Sequence, residues 1–276
     1  MFLDLRVDDF RAGLLQWSSR EVADYGRRGG GVMIALEKYL MNRKNTLDAS
    51  LIEAGVFPSQ AADVFISHSH RDRDEAIKLA LSLESRGLSV FVDSCVWGHA
   101  DELLRKIDDE FCVPDGWKHY SYPLRNRTTS NVHMILNSAL HGMIDRAELL
   151  IFLDSESSVR VDDYVNDSEY LSSPWIFSEL MFAGRVHRRP RKQLVLSAES
   201  TAFDGVTAST RREPEFLYPV PKLNYSIRFD DLVNWLQEDM PGDFHDPGID
   251  GLEHLDRLYR KLRVPERLLK EPRIEA

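Results

Sequence analysis

The sequence predicts an α/β protein with a parallel sheet that is covered by helices on both faces. Short, nearly continuous apolar runs rich in β-branched and aromatic residues occur at 63–67, 88–93 and 149–153. Segments with helical spacing of apolar residues separate these runs. Strands of this kind alternate with helices in parallel sheets that are buried on both faces.

The first predicted unit is a strand, a helix and a second strand. The strand at 63–67 leads directly into a polar segment, Ser-His-Ser-His-Arg-Asp, at 67–72. Apolar residues then recur at helical spacing until Gly87 ends the helix, and the run 88–93 follows. A unit of this length predicts two parallel strands joined by a crossover helix.

The middle of the chain carries a long insert at 94–131, rich in aromatic and histidine residues, with one short helix predicted at 101–111. An amphipathic helix with apolar positions from 136 to 147 and the strand 149–153 come next. Further strands are predicted at 193–196 and near 216–220, and a helix at 230–236. We expect residues 61–240 to form the main domain, with a helical N-terminal extension at 1–60 and a helical C-terminal appendage at 241–276.

A helix is also predicted to begin at Pro174, because Ser173 is a good N-cap and proline suits the first helical position. Trp175 and Glu179 are four residues apart and therefore share one face of this helix. We expect the Glu179 carboxylate to lie near the positive end of the helix dipole and to be ionised. Core packing of Trp175 beside an ordinary surface glutamate is the simpler alternative.

Composition excludes several classes of function. The 276 residues include 35 basic and 45 acidic ones, a net charge of -10, which does not favour binding to nucleic acid or to an anionic membrane. Two cysteines cannot form a disulfide framework, and neither a signal peptide nor a membrane-spanning run is apparent. No histidine or cysteine spacing is typical of a metal site. We therefore expect a cytoplasmic protein without a bound metal.

In open parallel sheets, ligands bind beyond the carboxyl ends of the strands. This rule predicts that residues from distant parts of the sequence share one rim, together with the first turns of the Trp175/Glu179 helix. The residues that follow the first three predicted strands are Ser67, His68 and Ser69, then Asp93 and Trp97, then Asp154 and Ser155.

These features resemble a Toll/interleukin receptor (TIR) domain of bacterial type. The resemblance covers roughly 61–237, and its most specific part is the segment Ser-Pro-Trp-Ile-Phe-Ser-Glu-Leu that contains Trp175 and Glu179. It implies a flavodoxin-like, doubly wound five-stranded parallel sheet. The insert at 94–131 departs from relatives that carry a short loop there.

The resemblance also implies an activity. Enzymatic TIR domains cleave the nicotinamide–ribose bond of NAD+, here as a substrate and not a cofactor, and Glu179 matches their catalytic glutamate. Ser67, His68, Ser69, Asp93, Trp97 and Trp175 are then the expected substrate-binding residues.

Such an enzyme would assemble with other TIR domains and make an ADP-ribose-derived signal for a separate effector, as in anti-phage defence of the Thoeris kind. The alternative is a non-catalytic TIR scaffold that acts through homotypic assembly.

Overall fold

A computed structural model describes residues 1–27, 62–162, 168–171, 173–186, 218–238 and 247–269. Within them the strands are β1 (Leu3–Asp8), β2 (Val64–Ser67), β3 (Val90–Val92), β4 (Leu149–Leu153), β5 (Val159–Asp162), β6 (Ser168–Leu171), β7 (Tyr218–Pro219) and β8 (Tyr225–Arg228). The helices are α1 (Ser19–Gly26), α2 (Arg73–Glu84), α3 (Ser94–Phe111), α4 (Tyr122–Arg146), α5 (Pro174–Arg185), α6 (Phe229–Gln237), α7 (Pro247–Lys261) and α8 (Glu266–Leu269).

The main sheet has five strands in the order β3-β2-β4-β1-β8, and all of its neighbouring strands are parallel. The predicted α/β class and parallel sheet are therefore confirmed, as are the first three predicted strands. If β2 is counted as the first strand, the neighbouring strands β3-β2-β4 follow the 2-1-3 part of the 2-1-3-4-5 order of flavodoxin-like folds.

The fourth strand in this order is β1, at the N-terminus of the chain. β1 pairs with β4 on one side and with β8 on the other. The prediction of a helical extension at 1–60 is therefore wrong for Leu3–Asp8. The signal was present in the sequence, because apolar and polar residues alternate from Leu3 to Asp8 as they do in a strand.

The prediction for the last two strands also needs correction. The segment 193–196 lies outside the described residues. Near 216–220, β7 pairs antiparallel with β6 in a separate three-stranded sheet, so it is not part of the main sheet. The edge strand next to β1 is β8, which sequence analysis missed because a four-residue strand offers little periodicity.

Two hydrophobic clusters cover the two faces of the main sheet. Val64 and Ile66 belong to one cluster and Phe65 to the other, since side chains alternate across a strand. Helices α1, α2, α6 and α7 contribute to the first cluster, and α3, α4 and α5 contribute to the second. Leu255 and Leu258 of α7 are fully buried. The described part of the predicted C-terminal appendage contains helices α7 and α8, and α7 is part of the core.

Much of the insert at 94–131 is helical. Helix α3 begins at Ser94, not near residue 101, and α4 begins at Tyr122. Asp108, almost fully buried, joins the two helices by accepting hydrogen bonds from Arg125 Nε at 3.0 Å and Thr128 Oγ1 at 2.5 Å. No helix among the described residues is both long and apolar enough to cross a membrane.

Candidate active site

A cavity of about 260 Å³ lies where the carboxyl ends of β2 and β3 meet the beginning of α5. This is the edge of the sheet that the ligand rule for open α/β folds predicts. Side chains from five segments of the chain line it, including His68, Asp93, Asp101, His133 and Trp175.

Helix α5 brings Trp175 and Glu179 to this edge. Its N-cap is Ser173, whose hydroxyl accepts a hydrogen bond from the backbone N–H of Ile176 at 3.3 Å. Ser178, next to Glu179, holds the helix against α4: its hydroxyl lies 2.8 Å from Asn137 Oδ1 and 3.0 Å from His141 Nε2. The predicted start of the helix at Pro174 is confirmed.

Glu179 is fully buried and does not line the cavity. The hydroxyl of Ser67, at the end of β2, donates a hydrogen bond to Glu179 Oε2 at 2.6 Å. The other oxygen, Oε1, receives no hydrogen bond from the described residues. Asp93, which does line the cavity, is the charged neighbour of this carboxyl.

The surroundings of Glu179 favour its neutral form. Burial raises the pKa of Glu179 well above its usual range, and the negative charge of Asp93 raises it further. The Ser67 hydrogen bond opposes these two effects. Burial and the charge of Asp93 therefore oppose the expectation that the helix dipole keeps this carboxylate ionised. The dipole acts mainly within the first turn and is worth about 0.3–1 kcal/mol, whereas desolvation can shift a buried carboxyl by several pKa units.

The surroundings of Asp93 differ from those of Glu179, because Asp93 occupies the N-cap position of α3, where the helix dipole favours a negative charge. Its Oδ1 accepts a hydrogen bond from the backbone N–H of Ser94 at 2.6 Å and lies 2.9 Å from His68 Nδ1. The other nitrogen of the His68 ring, Nε2, lies 2.8 Å from Ser94 Oγ. His68 is thus held between Asp93 and Ser94, and all three residues line the cavity.

One wall of the cavity is aromatic. The ring of His133, on α4, packs edge-on against Trp175 with 5.3 Å between the ring centroids. Burial lowers the pKa of His133, although the nearby Asp101 opposes this effect. The ring is therefore neutral at pH 7, and this wall can stack against a flat ligand.

The structure brings five of the seven predicted site residues together: Ser67, His68, Asp93, Trp175 and Glu179. Ser69 is adjacent in sequence but does not line the cavity, and its carbonyl accepts a turn hydrogen bond from Asp72 N–H at 2.8 Å. Trp97 lies in the first turns of α3, and its side chain is outside the described part of the structure.

Asp154 and Ser155, also expected at this rim, belong to a different cluster. Asp154 pairs with Arg6 of β1, and Ser155 bonds to Asp72. Conversely, Asp101 and His133 line the cavity although sequence analysis assigned them no role in substrate binding. For Asp101, the richness of the insert in polar and aromatic residues was the available signal, whereas His133 lies beyond the insert, in α4. Among the described residues, no three His, Cys, Asp or Glu side chains are arranged to hold a metal ion.

The protein therefore belongs to the α/β class. Its five-stranded parallel sheet has a buried acidic pair at its carboxyl edge, next to the cavity of about 260 Å³. Comparison with models of protein families, with curated proteins and with solved structures finds no match for the chain.

Proposed function

We propose that this protein cleaves the N-glycosidic bond between nicotinamide and ribose in NAD+, with Glu179 as the catalytic carboxylate. The observation that carries the proposal is the position of Glu179: it lies against Ser67 and Asp93, beside a cavity with an aromatic wall at the carboxyl edge of the sheet. The resemblance of the segment around Trp175 and Glu179 to enzymatic TIR domains supports the same reaction.

The reaction requires little acid catalysis. When the bond between ribose C1′ and the pyridinium nitrogen breaks, its electron pair goes to the ring, and neutral nicotinamide leaves. Positive charge develops on the ribose as an oxocarbenium-like state, which a carboxylate stabilises. Water then adds to C1′ and loses a proton, and the products are ADP-ribose, nicotinamide and a proton. One suitably placed carboxylate is sufficient.

Glu179 must be ionised to act in this way, yet its surroundings in the free protein favour the neutral acid. A pyridinium ion in the neighbouring cavity supplies the missing positive charge, and a nearby positive charge lowers the pKa of a carboxyl. Ser67 then stabilises the carboxylate through its existing hydrogen bond. In this proposal Trp175 stacks on the nicotinamide ring.

The biological setting of the proposal rests on the resemblance alone. The ADP-ribose product, linear, cyclic or conjugated, would act as a signal to a separate effector in anti-phage defence. Assembly with other TIR domains would accompany activation.

The test is to incubate the purified protein with NAD+, alone and with an extract of phage-infected cells, and to identify the products by mass spectrometry. We expect nicotinamide release, reduced at least about 100-fold in Glu179→Gln. Glu148→Gln is the matched control, because Glu148 is also buried but immediately precedes β4, at the other end of the sheet. It keeps full turnover.

Unchanged turnover in Glu179→Gln would remove this residue from its assigned role. If neither condition consumes NAD+, the enzymatic proposal fails and the non-catalytic scaffold becomes the better account.

A further inference from the structure

The cavity has an unbalanced charge. Asp93 and Asp101 contribute carboxylates to its wall, the other titratable lining residues are His68, His70 and His133, and none of its described lining residues is a lysine or an arginine. His133 is neutral at pH 7 because burial lowers its pKa. A small site with this composition has a negative potential, since poorly hydrated walls screen the carboxylates less than bulk water does.

The two carboxyls of the buried pair, Asp93 and Glu179, differ in the donors that surround them. Asp93 Oδ1 accepts a hydrogen bond from the backbone N–H of Ser94 at 2.6 Å and lies 2.9 Å from His68 Nδ1, and Asp93 is at the positive end of the 18-residue helix α3. Glu179 has one hydroxyl donor at Oε2 and no donor at Oε1 among the described residues. Two adjacent buried carboxyls cannot both ionise readily. Burial and the charge of Asp93 raise the pKa of Glu179, whereas the Asp93 side chain faces the cavity.

Asp93 is also too constrained to turn away. The residue is 3% exposed, and its hydrogen bond to Ser94 and its contact with His68 hold the carboxylate at the cavity wall. Asp101, in contrast, is exposed to solvent, which screens its charge. Asp93 is thus the dominant charge that a bound ligand meets.

We propose that Asp93 is a specificity-determining residue that selects a flat organic cation, of the N-alkylated pyridinium class, over a neutral ring of the same shape. The aromatic wall formed by Trp175 complements this charge, because the face of an indole ring also attracts cations. The inference deepens the proposed function, on which it rests for the identity of the site, and concerns binding and not turnover.

Two small ligands of nearly identical shape test the proposal. 1-Methylnicotinamide is a pyridinium cation, and 3-methylbenzamide is its neutral isostere with carbon in place of the ring nitrogen. Calorimetry or ligand-observed NMR on the full chain at pH 7.5 measures both affinities. We expect the cation to bind at least about tenfold more tightly, the size of effect that a poorly screened charge and a cation–π contact produce together.

Asp93→Asn removes the charge but keeps an oxygen that can accept from Ser94 N–H. In this variant we expect the preference for the cation to fall to about fivefold or less, which is what a weak cation–π contact alone provides. Asp115→Asn is the control: Asp115 is an exposed carboxylate between α3 and α4, outside the cavity, and its loss leaves the preference intact. Circular dichroism verifies that each variant is folded.

Equal affinities in the unmodified chain, or no detectable binding of either ligand, overturn the inference without any variant. An undiminished preference in folded Asp93→Asn overturns the assignment to this residue. The proposed function can fail separately. Cation preference without NAD+ cleavage supports the inference and rejects the enzyme, whereas NAD+ cleavage without cation preference does the reverse.

Discussion

Glu179, the proposed catalytic residue, lies in surroundings that oppose its ionisation. Its side chain is completely buried, and the neighbouring Asp93 makes ionisation unfavourable. A carboxyl placed for stability alone would have more hydrogen-bond donors or more solvent. Such a conflict is common at active sites, where residues are selected for chemistry at a cost in free energy of folding.

This conflict predicts the pH dependence of stability in Glu179→Gln. The folded-state pKa of Glu179 is raised above the usual value of 4.5, so the stability that the neutral acid provides is complete below about pH 4.5 and is lost as pH rises through the folded-state pKa. Glutamine does not ionise. The variant should therefore match the unmodified chain in acid and exceed its free energy of unfolding by about 1–3 kcal/mol at alkaline pH.

Denaturant unfolding at pH 4.5 and pH 8.5 measures this difference, with the exposed Glu156→Gln as the control. A difference between variant and unmodified chain that does not change with pH would contradict the proposed burial of a neutral acid.

Among the helices, α7 makes an unusually close approach to another part of the chain. A Cβ atom added at Gly251 would lie 2.7 Å from the carbonyl carbon and oxygen of Gly87, in the turn between α2 and β3. Both partners are backbone, so a side chain cannot simply rotate away. Glycine at this position therefore allows α7 to pack closely against the turn between α2 and β3.

This contact predicts opposite effects for two similar substitutions. Gly251→Ala should lower the free energy of unfolding by about 1–3 kcal/mol through overpacking, more than the roughly 0.5–1 kcal/mol gained from helix propensity. Gly142→Ala, in α4, has nothing within 4 Å of the new Cβ and should stabilise by about 0.5–1 kcal/mol. Thermal unfolding of both variants provides the comparison, and equal shifts would show that the α7 contact carries no strain.

Helices cover both faces of the main sheet, and β1 is an interior strand of that sheet. Leu3, Leu5 and Val7 are buried in the cluster shared with α1, α2, α6 and α7. On β1, Arg6 instead pairs with Asp154 at the end of β4. The first eight residues therefore connect elements that are far apart in the sequence.

The position of β1 predicts a large cost for shortening its core side chains. Leu5 is completely buried, so Leu5→Ala should lower the free energy of unfolding by about 2–5 kcal/mol. Leu124→Ala should change it by less than about 0.5 kcal/mol, because Leu124 is 38% exposed. Chemical denaturation of both variants tests this expectation. A Leu5→Ala cost as small as that of Leu124→Ala would be inconsistent with an interior strand.

Local sequence patterns predicted much of the fold. The apolar runs that became β2, β3 and β4, and the Ser173–Pro174 signal for α5, were readable because side-chain periodicity and helix capping involve residues close in sequence. The strand at 3–8 was overlooked because it stands alone, without a helix and a second strand immediately after it. Its neighbours β4 and β8 are far away in the sequence.

By itself, the sequence determined the α/β class, the first three predicted strands and the meeting of residues 67, 68, 93, 175 and 179 at one edge, since these follow from local pattern and the geometry of parallel sheets. The tertiary structure decided that β1 lies inside the sheet, that Glu179 is buried behind the cavity wall, where its pKa is raised, and that Asp93 faces the cavity. Strand neighbours and carboxyl ionisation depend on contacts and desolvation between distant residues, and no local pattern encodes these.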